Sequence, residues 1–222
     1  MKRLLLPALL SLACTTACTT ACAAQAAESG HSALAIAAME RDFDTVRALL
    51  AERGADVNAT GPYATPPLHW IVRVGEHDLA KRLLELGADP NIANPYGLHP
   101  LHLAIENADV DMVRLLLAAG ADPEQADNAS ETPLMLAARS GSAAIVAVLL
   151  DAGVSVDTRE PNYDQTALML AVRSGAADAV QLLLASGADV NAQSRAGAVA
   201  NFRLPSQNAG SKGVGIVRGG WP

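Results

Sequence analysis

Thr132-Pro133-Leu134-Met135-Leu136-Ala137-Ala138, continued by Ile145-Val146 and Leu149-Leu150 and closed by Gly153, is the stretch that decides the fold. The Thr132 hydroxyl can accept from the open amides of a first helical turn, and Pro133 at the first helical position gives up no needed hydrogen bond. Leu134, Leu136, Ala137 and Ala138 then form one apolar face whose small residues permit close approach, and Ile145, Val146, Leu149 and Leu150 form that of a second helix. Gly153 stops the second helix, because a left-handed residue there costs glycine little. Two short helices joined by a tight turn cannot bury both of their faces alone.

The same text recurs outward in both directions. Leu34, Leu68, Leu101, Leu134 and Leu168 are spaced 34, 33, 33 and 34 apart, and Gly54, Gly87, Gly120, Gly153 and Gly187 are spaced 33, 33, 33 and 34. Around the leucines stand Pro66-Pro67-Leu68-His69, His99-Pro100-Leu101-His102 and Thr166-Ala167-Leu168-Met169. Asp56-Val57-Asn58, Asp89-Pro90-Asn91 and Asp189-Val190-Asn191 open the turns between copies. Two rulers with one period describe stacked modules, each sheltering its neighbour's apolar flank.

From Ser32 to Asn191 these residues resemble the ankyrin repeat family, whose repeat of about 33 residues carries T-P-L-H-x-A. Pro66 and His99 depart from the pattern at the threonine, Ala167 at the proline, and Met135 and Met169 at the histidine. The resemblance implies an all-α solenoid of helix-turn-helix units with projecting β-turns, with repeats at 32–58, 59–91, 92–124, 125–157 and 158–191. It also implies a protein-binding module without catalysis, in which His69 and His102 bridge adjacent turns and the arginine series below has a structural part. Glu40, Arg41, Asp42 and Asp44 mark the first repeat as the N-terminal cap.

Both ends differ from the array. Lys2 and Arg3, the apolar run from Leu4 to Ala13 and Ala24-Gln25-Ala26 read as a secretory signal peptide over 1–26, with a mature start at Ala27. Cys14, Cys18 and Cys22 all lie within it, so a chain cut there has no disulfide or thiolate metal site. The competing reading is a lipoprotein anchored at one of those cysteines, but Ser11, Thr15 and Thr19 stand where a lipobox wants an aliphatic residue. Residues 192–222 read as an incomplete sixth repeat and a disordered tail. Gly197 is in phase, Ala200 and Asn201 replace proline and leucine, and 196–222 holds six glycines and no acid. A truncated or frameshifted repeat would give the same break.

Charge and composition exclude several functions. Residues 27–191 carry 10 basic and 23 acidic side chains, a net of −13, while Arg195, Arg203, Lys212 and Arg218 give the tail +4. Such an array repels nucleic acid and anionic lipid. It suits a basic partner, or serves solubility alone. With 3% aromatic residues, a large aromatic-walled cofactor pocket is not expected, and no cofactor is assigned. No G-x-S-x-G, phosphate-binding loop, H-E-x-x-H or paired CxxC occurs. His99 and His102 are three apart and His69 shares the phase of His102, but no cysteine or carboxylate set accompanies them, so no metal site is assigned. Trp70 shares the phase of Leu103, Leu136 and Leu170 and reads as core. Thirteen arginines against three lysines, with abundant alanine, suggest a GC-rich bacterium.

Two series remain for binding. Tyr63, Tyr96 and Tyr163 each precede a motif leucine by five residues, on the projecting turns, with Pro62 and Pro95 stiffening two of them. They either offer contact area to a partner or pack against the next turn. Arg73, Glu106, Arg139 and Arg173 follow the leucines by five. They either line the concave helical face and grip a partner's carboxylates, or hold the repeat together. The expected protein is a monomeric, non-enzymatic, periplasmic or secreted module that binds another protein through its turn tips and concave face. The other readings are an immunity protein against a toxic effector, an oxidative-stress accessory protein, and a lipid-anchored structural spacer.

Overall fold

The structure is a computed structural model that describes residues 32–52, 54–195 and 197. The signal-peptide and lipidation readings, and the disordered tail beyond Gly197, lie outside the described residues. Two compact units divide between Pro100 and Leu101. All regular elements among the described residues are helical, and none is long and apolar enough to cross a membrane.

In the first unit α1 (Ala33–Glu40) and α2 (Phe43–Ala51) form one helix pair, and α3 (Pro67–Val74) and α4 (His77–Glu85) the next. The α1 helix packs on α3 and α2 on α4, burying Leu34, Ile36, Val46 and Leu50 with Leu68, Ile71, Leu79 and Leu83. Ser32 caps α1 by accepting from the Ala35 amide at 3.4 Å. Asp42, expected as surface charge of an end cap, is instead the N-cap of α2, accepting from the Thr45 amide at 3.1 Å and its hydroxyl at 2.7 Å. Pro66 offers no side-chain cap to α3, as its replacement of threonine requires.

The second unit runs on from α5 (Pro100–Glu106) through α6 (Val110–Ala118), α7 (Pro133–Ser140), α8 (Ala143–Asp151), α9 (Ala167–Ser174) and α10 (Ala177–Ala185). The α7 helix packs on α9, and α8 lies against both α6 and α10. Thr132 and Thr166 cap α7 and α9, accepting from Met135 and Met169 amides at 3.3 and 3.5 Å. Leu134, Leu136, Ile145, Val146, Leu149, Leu168 and Leu183 are buried in the core, whereas Leu150, expected beside Leu149, is only half-buried. The Ser174 hydroxyl donates to the Ala138 carbonyl at 3.1 Å, fixing α9 against α7.

Helix stops follow one rule. Gly87, Gly120, Gly153 and Gly187 end the second helices at φ between 83° and 94°, and an added Cβ there meets no atom within 4 Å. Glycine is used for its conformation, not for space. The first helices of three pairs stop on Gly75, Gly141 and Gly175, but Arg41 and Ala108 occupy the same place at φ 61° and 55°.

Between copies, Asp56, Asp89, Asp122 and Asp189 each accept from the backbone N–H two residues on, at 2.8 to 3.0 Å. Two of the residues so positioned, Asn58 and Glu124, reach the next copy within their own unit. Asn58 accepts from the Asp89 amide at 2.9 Å and donates to the Gly87 carbonyl at 3.0 Å. In the second unit, Glu124 accepts from the Ser155 amide at 2.6 Å and Asp157 from the Asp189 amide at 2.9 Å. Hydrogen bonds from Ser155, its hydroxyl first and then its amide, hold the Glu124 carboxyl below its usual range.

Past Asn191 the chain begins a further turn. Gly197 donates to the Ser194 carbonyl at 2.8 Å, and the Arg195 amide donates to the Tyr163 carbonyl at 2.8 Å. The Arg195 guanidinium donates to the Pro161 carbonyl at 3.0 Å and pairs with Asp164 at 3.4 Å. Arg159 donates to the Gln193 carbonyl at 2.7 Å.

Candidate binding surface on the hairpin tips

The projecting turns share one construction. Backbone bonds of 3.0 to 3.1 Å close them, from Gly61 to Thr65, Asn94 to Leu98, Asp127 to Glu131 and Glu160 to Gln165. Inside three of them the first residue's side chain organises the loop. Asn94 Oδ1 accepts from Tyr96 and Leu98 amides, both at 3.0 Å, and Asp127 Oδ1 from Ala129 and Glu131 amides at 2.8 and 2.9 Å.

The last of these turns is one residue longer, which is where the spacing of 34 between Leu134 and Leu168 arises. A longer acid spans it. Glu160 Oε1 accepts from Tyr163 and Gln165 amides at 2.7 and 3.2 Å, and Oε2 from the Asn162 amide at 2.7 Å. Its residue is 5% exposed, so the carboxylate exchanges water for three backbone donors. Sequence reasoning missed this position, although Gly61, Asn94, Asp127 and Glu160 hold the 33-residue phase. Gly61 differs because a Cβ on it would lie 2.6 Å from the Ala35 Cβ.

All three tyrosines stand at these tips and point outward, with Tyr63, Tyr96 and Tyr163 exposed to 67%, 65% and 65%. About a third of each tyrosine's surface is covered, and the Tyr163 carbonyl accepts from the Arg195 amide of the next turn at 2.8 Å. Tyr63 also carries φ 61°, and Ala64 after it φ 47°. Left-handed backbone at a non-glycine residue costs roughly 1–2 kcal/mol, and the Thr65 hydroxyl donates to the Tyr63 carbonyl at 3.0 Å across this bend. In the other turns the left-handed residue follows the tip, at Gly97, Ser130 and Asp164.

The arginine series lies on the helix ends. Arg73, Glu106, Arg139 and Arg173 are exposed near the ends of α3, α5, α7 and α9. Arg139 pairs with Glu131 at 2.8 Å, and Arg173 donates to Gln165 Oε1 at 3.3 Å. Glu131 and Gln165 each precede their motif leucine by three residues, so these two arginines tie a helix end to the base of its own hairpin. Exposed pairs of this kind contribute about 0.2–1 kcal/mol.

The histidines serve the backbone. His69 Nε2 donates to the Leu98 carbonyl at 3.0 Å, 29 residues on, and His99 Nδ1 donates to the Asn91 carbonyl at 3.0 Å. Carbonyls only accept, so each named ring nitrogen carries the proton. His69 is 2% exposed, and desolvation first, with the neighbouring His99 adding to it, lowers its pKa to about 4. Among the described residues, no three histidine, cysteine, aspartate or glutamate side chains gather as a metal-binding group. Trp70, expected in the core with Leu103, Leu136 and Leu170, is half-buried where those leucines are buried, and its indole Nε1 is enclosed without a hydrogen-bond acceptor.

Comparison with curated proteins gives no match. A family model described as "Ankyrin repeats (3 copies)" matches residues 36–127 and again 120–194, the residues that carry the helix pairs and tips described above. Ankyrin repeats are generally protein–protein interaction modules. With its 33-residue phase, its capped helix pairs and its inter-repeat side-chain ladder, the chain belongs to the ankyrin repeat family.

Proposed function

We propose that this chain is an exported, non-enzymatic module that binds a partner protein through the tips of its hairpins, with the helical face of Arg73, Glu106, Arg139 and Arg173 as a second contact region. One observation supports the reading: three tyrosines stand two-thirds exposed at the tips, one of them on left-handed backbone. Backbone held in a sparsely populated region clusters at functional sites. Tyrosine suits that use, since a rigid ring and a hydroxyl give large contact area for little lost side-chain freedom.

The tips are preformed. The Tyr96 amide is fixed by Asn94 and the Tyr163 amide by Glu160, so association orders little backbone there. Arg139 and Arg173 already have partners at the hairpin bases, so their first role is support of the tips. Export rests on the leader pattern over 1–26, and a periplasmic or secreted site follows from it.

Site-specific photo-crosslinking in the source cell tests this. With p-benzoylphenylalanine in place of Tyr63, Tyr96 or Tyr163, one discrete protein adduct is expected at all three positions, and none with the same group in place of exposed Lys81 on α4. Adducts at Lys81 equal to those at the tips, or none at any tip, would overturn the assignment.

A further inference from the structure

The hairpin of the fifth repeat runs against the charge of the array. Residues 27–191 carry 10 basic and 23 acidic side chains, yet the charges left over at this tip are cationic. Glu131 and Gln165 hold the same place at the bases of two successive hairpins. Arg139 is therefore neutralised by a carboxylate at 2.8 Å, whereas Arg173 reaches only the neutral Gln165 Oε1, at 3.3 Å. Arg159 likewise donates to a neutral acceptor, the Gln193 carbonyl, at 2.7 Å. Among the described residues neither Arg159 nor Arg173 forms an ion pair, and both are exposed. The acids nearby are engaged. Three backbone N–H groups occupy Glu160, the Asp189 amide donates to Asp157 at 2.9 Å, and Arg195 pairs with Asp164 at 3.4 Å.

We propose that the guanidinium groups of Arg159, Arg173 and Arg195 and the ring of Tyr163 form the docking point for an acidic segment of the partner protein, rich in aspartate or glutamate. The inference rests on the reading of the tips as the binding surface and gives one tip its chemistry. All four side chains belong to one hairpin and the segment beside it. Arg173 is tied there through Gln165 and Arg195 through Pro161 and Asp164, while Arg159 reaches from the hairpin to the segment that carries Arg195. A guanidinium has five donors in a planar fork, and each of these spends one or two of them within the chain. The rest are available to carboxylate oxygens, and the Arg195 side chain is 63% exposed. Tyrosine and arginine are also among the residues on which binding energy concentrates. The Tyr63 and Tyr96 turns, 59–66 and 92–99, hold no lysine, arginine, aspartate or glutamate, so the preference belongs to the fifth repeat. A nucleic acid extends its charge well beyond one hairpin and would meet the acidic remainder of the array, whereas a short acidic segment needs this tip alone.

Fluorescence anisotropy of the full chain tests this with a labelled peptide of alternating aspartate and glutamate. The comparisons are the same peptide with asparagine and glutamine, and an oligothymidine of equal charge. Saturable binding of the acidic peptide alone is expected, weakening as salt is raised. Arg159→Gln/Arg173→Gln, equally helical by circular dichroism, is expected to bind it about tenfold more weakly. Tyr163→Ala should weaken it too, and Arg114→Gln, an exposed arginine on α6, should leave it unchanged. The proposal is overturned if the acidic peptide binds no better than its amide counterpart, if Arg114→Gln weakens it as much as the double variant, or if the oligothymidine binds as well through the same arginines. Any of these results beside crosslinks at the three tips removes the acidic partner and leaves the tip surface standing, whereas absence of crosslinks at every tip removes both.

Discussion

His69 Nε2 lies 3.0 Å from the Leu98 carbonyl and ties the first helix of the second repeat to the turn that presents Tyr96. One buried hydrogen bond therefore links the packing of α3 to the placement of a tip. The ring is neutral there, and its environment opposes protonation.

That opposition makes stability depend on pH. The folded pKa of about 4 lies below the unfolded value of 6.5, so the unfolded chain takes up the proton first as pH falls. The contribution of His69 is fully present above pH 6.5, declines between 6.5 and about 4, and is level below that. Its total is at most about 3.4 kcal/mol, from 1.36 kcal/mol per pKa unit over the shift from 6.5 to about 4. Urea denaturation at pH 7.5 and 5 is expected to show the decline in the native chain. His69→Gln, which has no titrating ring, should be less stable at pH 7.5 and should lose most of the difference between the two pH values. An unchanged difference would place the titrating group elsewhere.

The Glu160 turn allows a test of reach as distinct from charge. Glu160→Ala strands three amide donors and is expected to cost about 2–3 kcal/mol in chemical denaturation. Glu160→Asp keeps the charge but is one methylene short of the longer loop, and should cost about 1–2 kcal/mol. Glu160→Gln keeps an acceptor of the right length and should cost less than Glu160→Ala.

Left-handed helix stops give two substitutions of opposite sign. Gly153→Ala places a Cβ on backbone at φ 83° without any clash, and is expected to cost about 1 kcal/mol from conformation alone. Ala108→Gly relieves the same strain at φ 55° on an exposed site, and should gain about 0.5 kcal/mol after the entropy of glycine is deducted. Thermal melts of the two variants check both signs.

Gly61→Ala probes a close approach. Its Cβ would sit 2.6 Å from that of Ala35, and neither atom belongs to a flexible side chain. Overpacking of this kind costs about 1–3 kcal/mol, so a lowered melting temperature is expected, and Ala35→Gly in the same chain should restore part of it.

The helix pairs were legible because their signals are periodic. A leucine and a glycine in one phase declare a core position and a stop wherever they recur, and Leu134, Leu168, Gly120 and Gly153 all do what their phase says. The histidine bridge was legible at His69 through the family resemblance. Glu160 was not, because glycine, asparagine, aspartate and glutamate share its phase but no side chain, and their common act is to accept backbone N–H groups. Trp70 shared a phase with three leucines, yet an indole is larger than the place a leucine fills and stands half out of it. For the tyrosines, phase located the tips but left packing and exposure as equal alternatives. Solvent exposure and the φ of Tyr63 support the proposal of a binding role.

The most direct measurement is the dissociation constant of the crosslinked partner for the native chain and for Tyr63→Ala/Tyr96→Ala/Tyr163→Ala, with circular dichroism showing both equally helical. Loss of two or more contacts of about 2 kcal/mol each is expected to weaken binding by at least 100-fold. An unchanged dissociation constant in an equally folded variant would contradict the assignment of the tips as the binding surface.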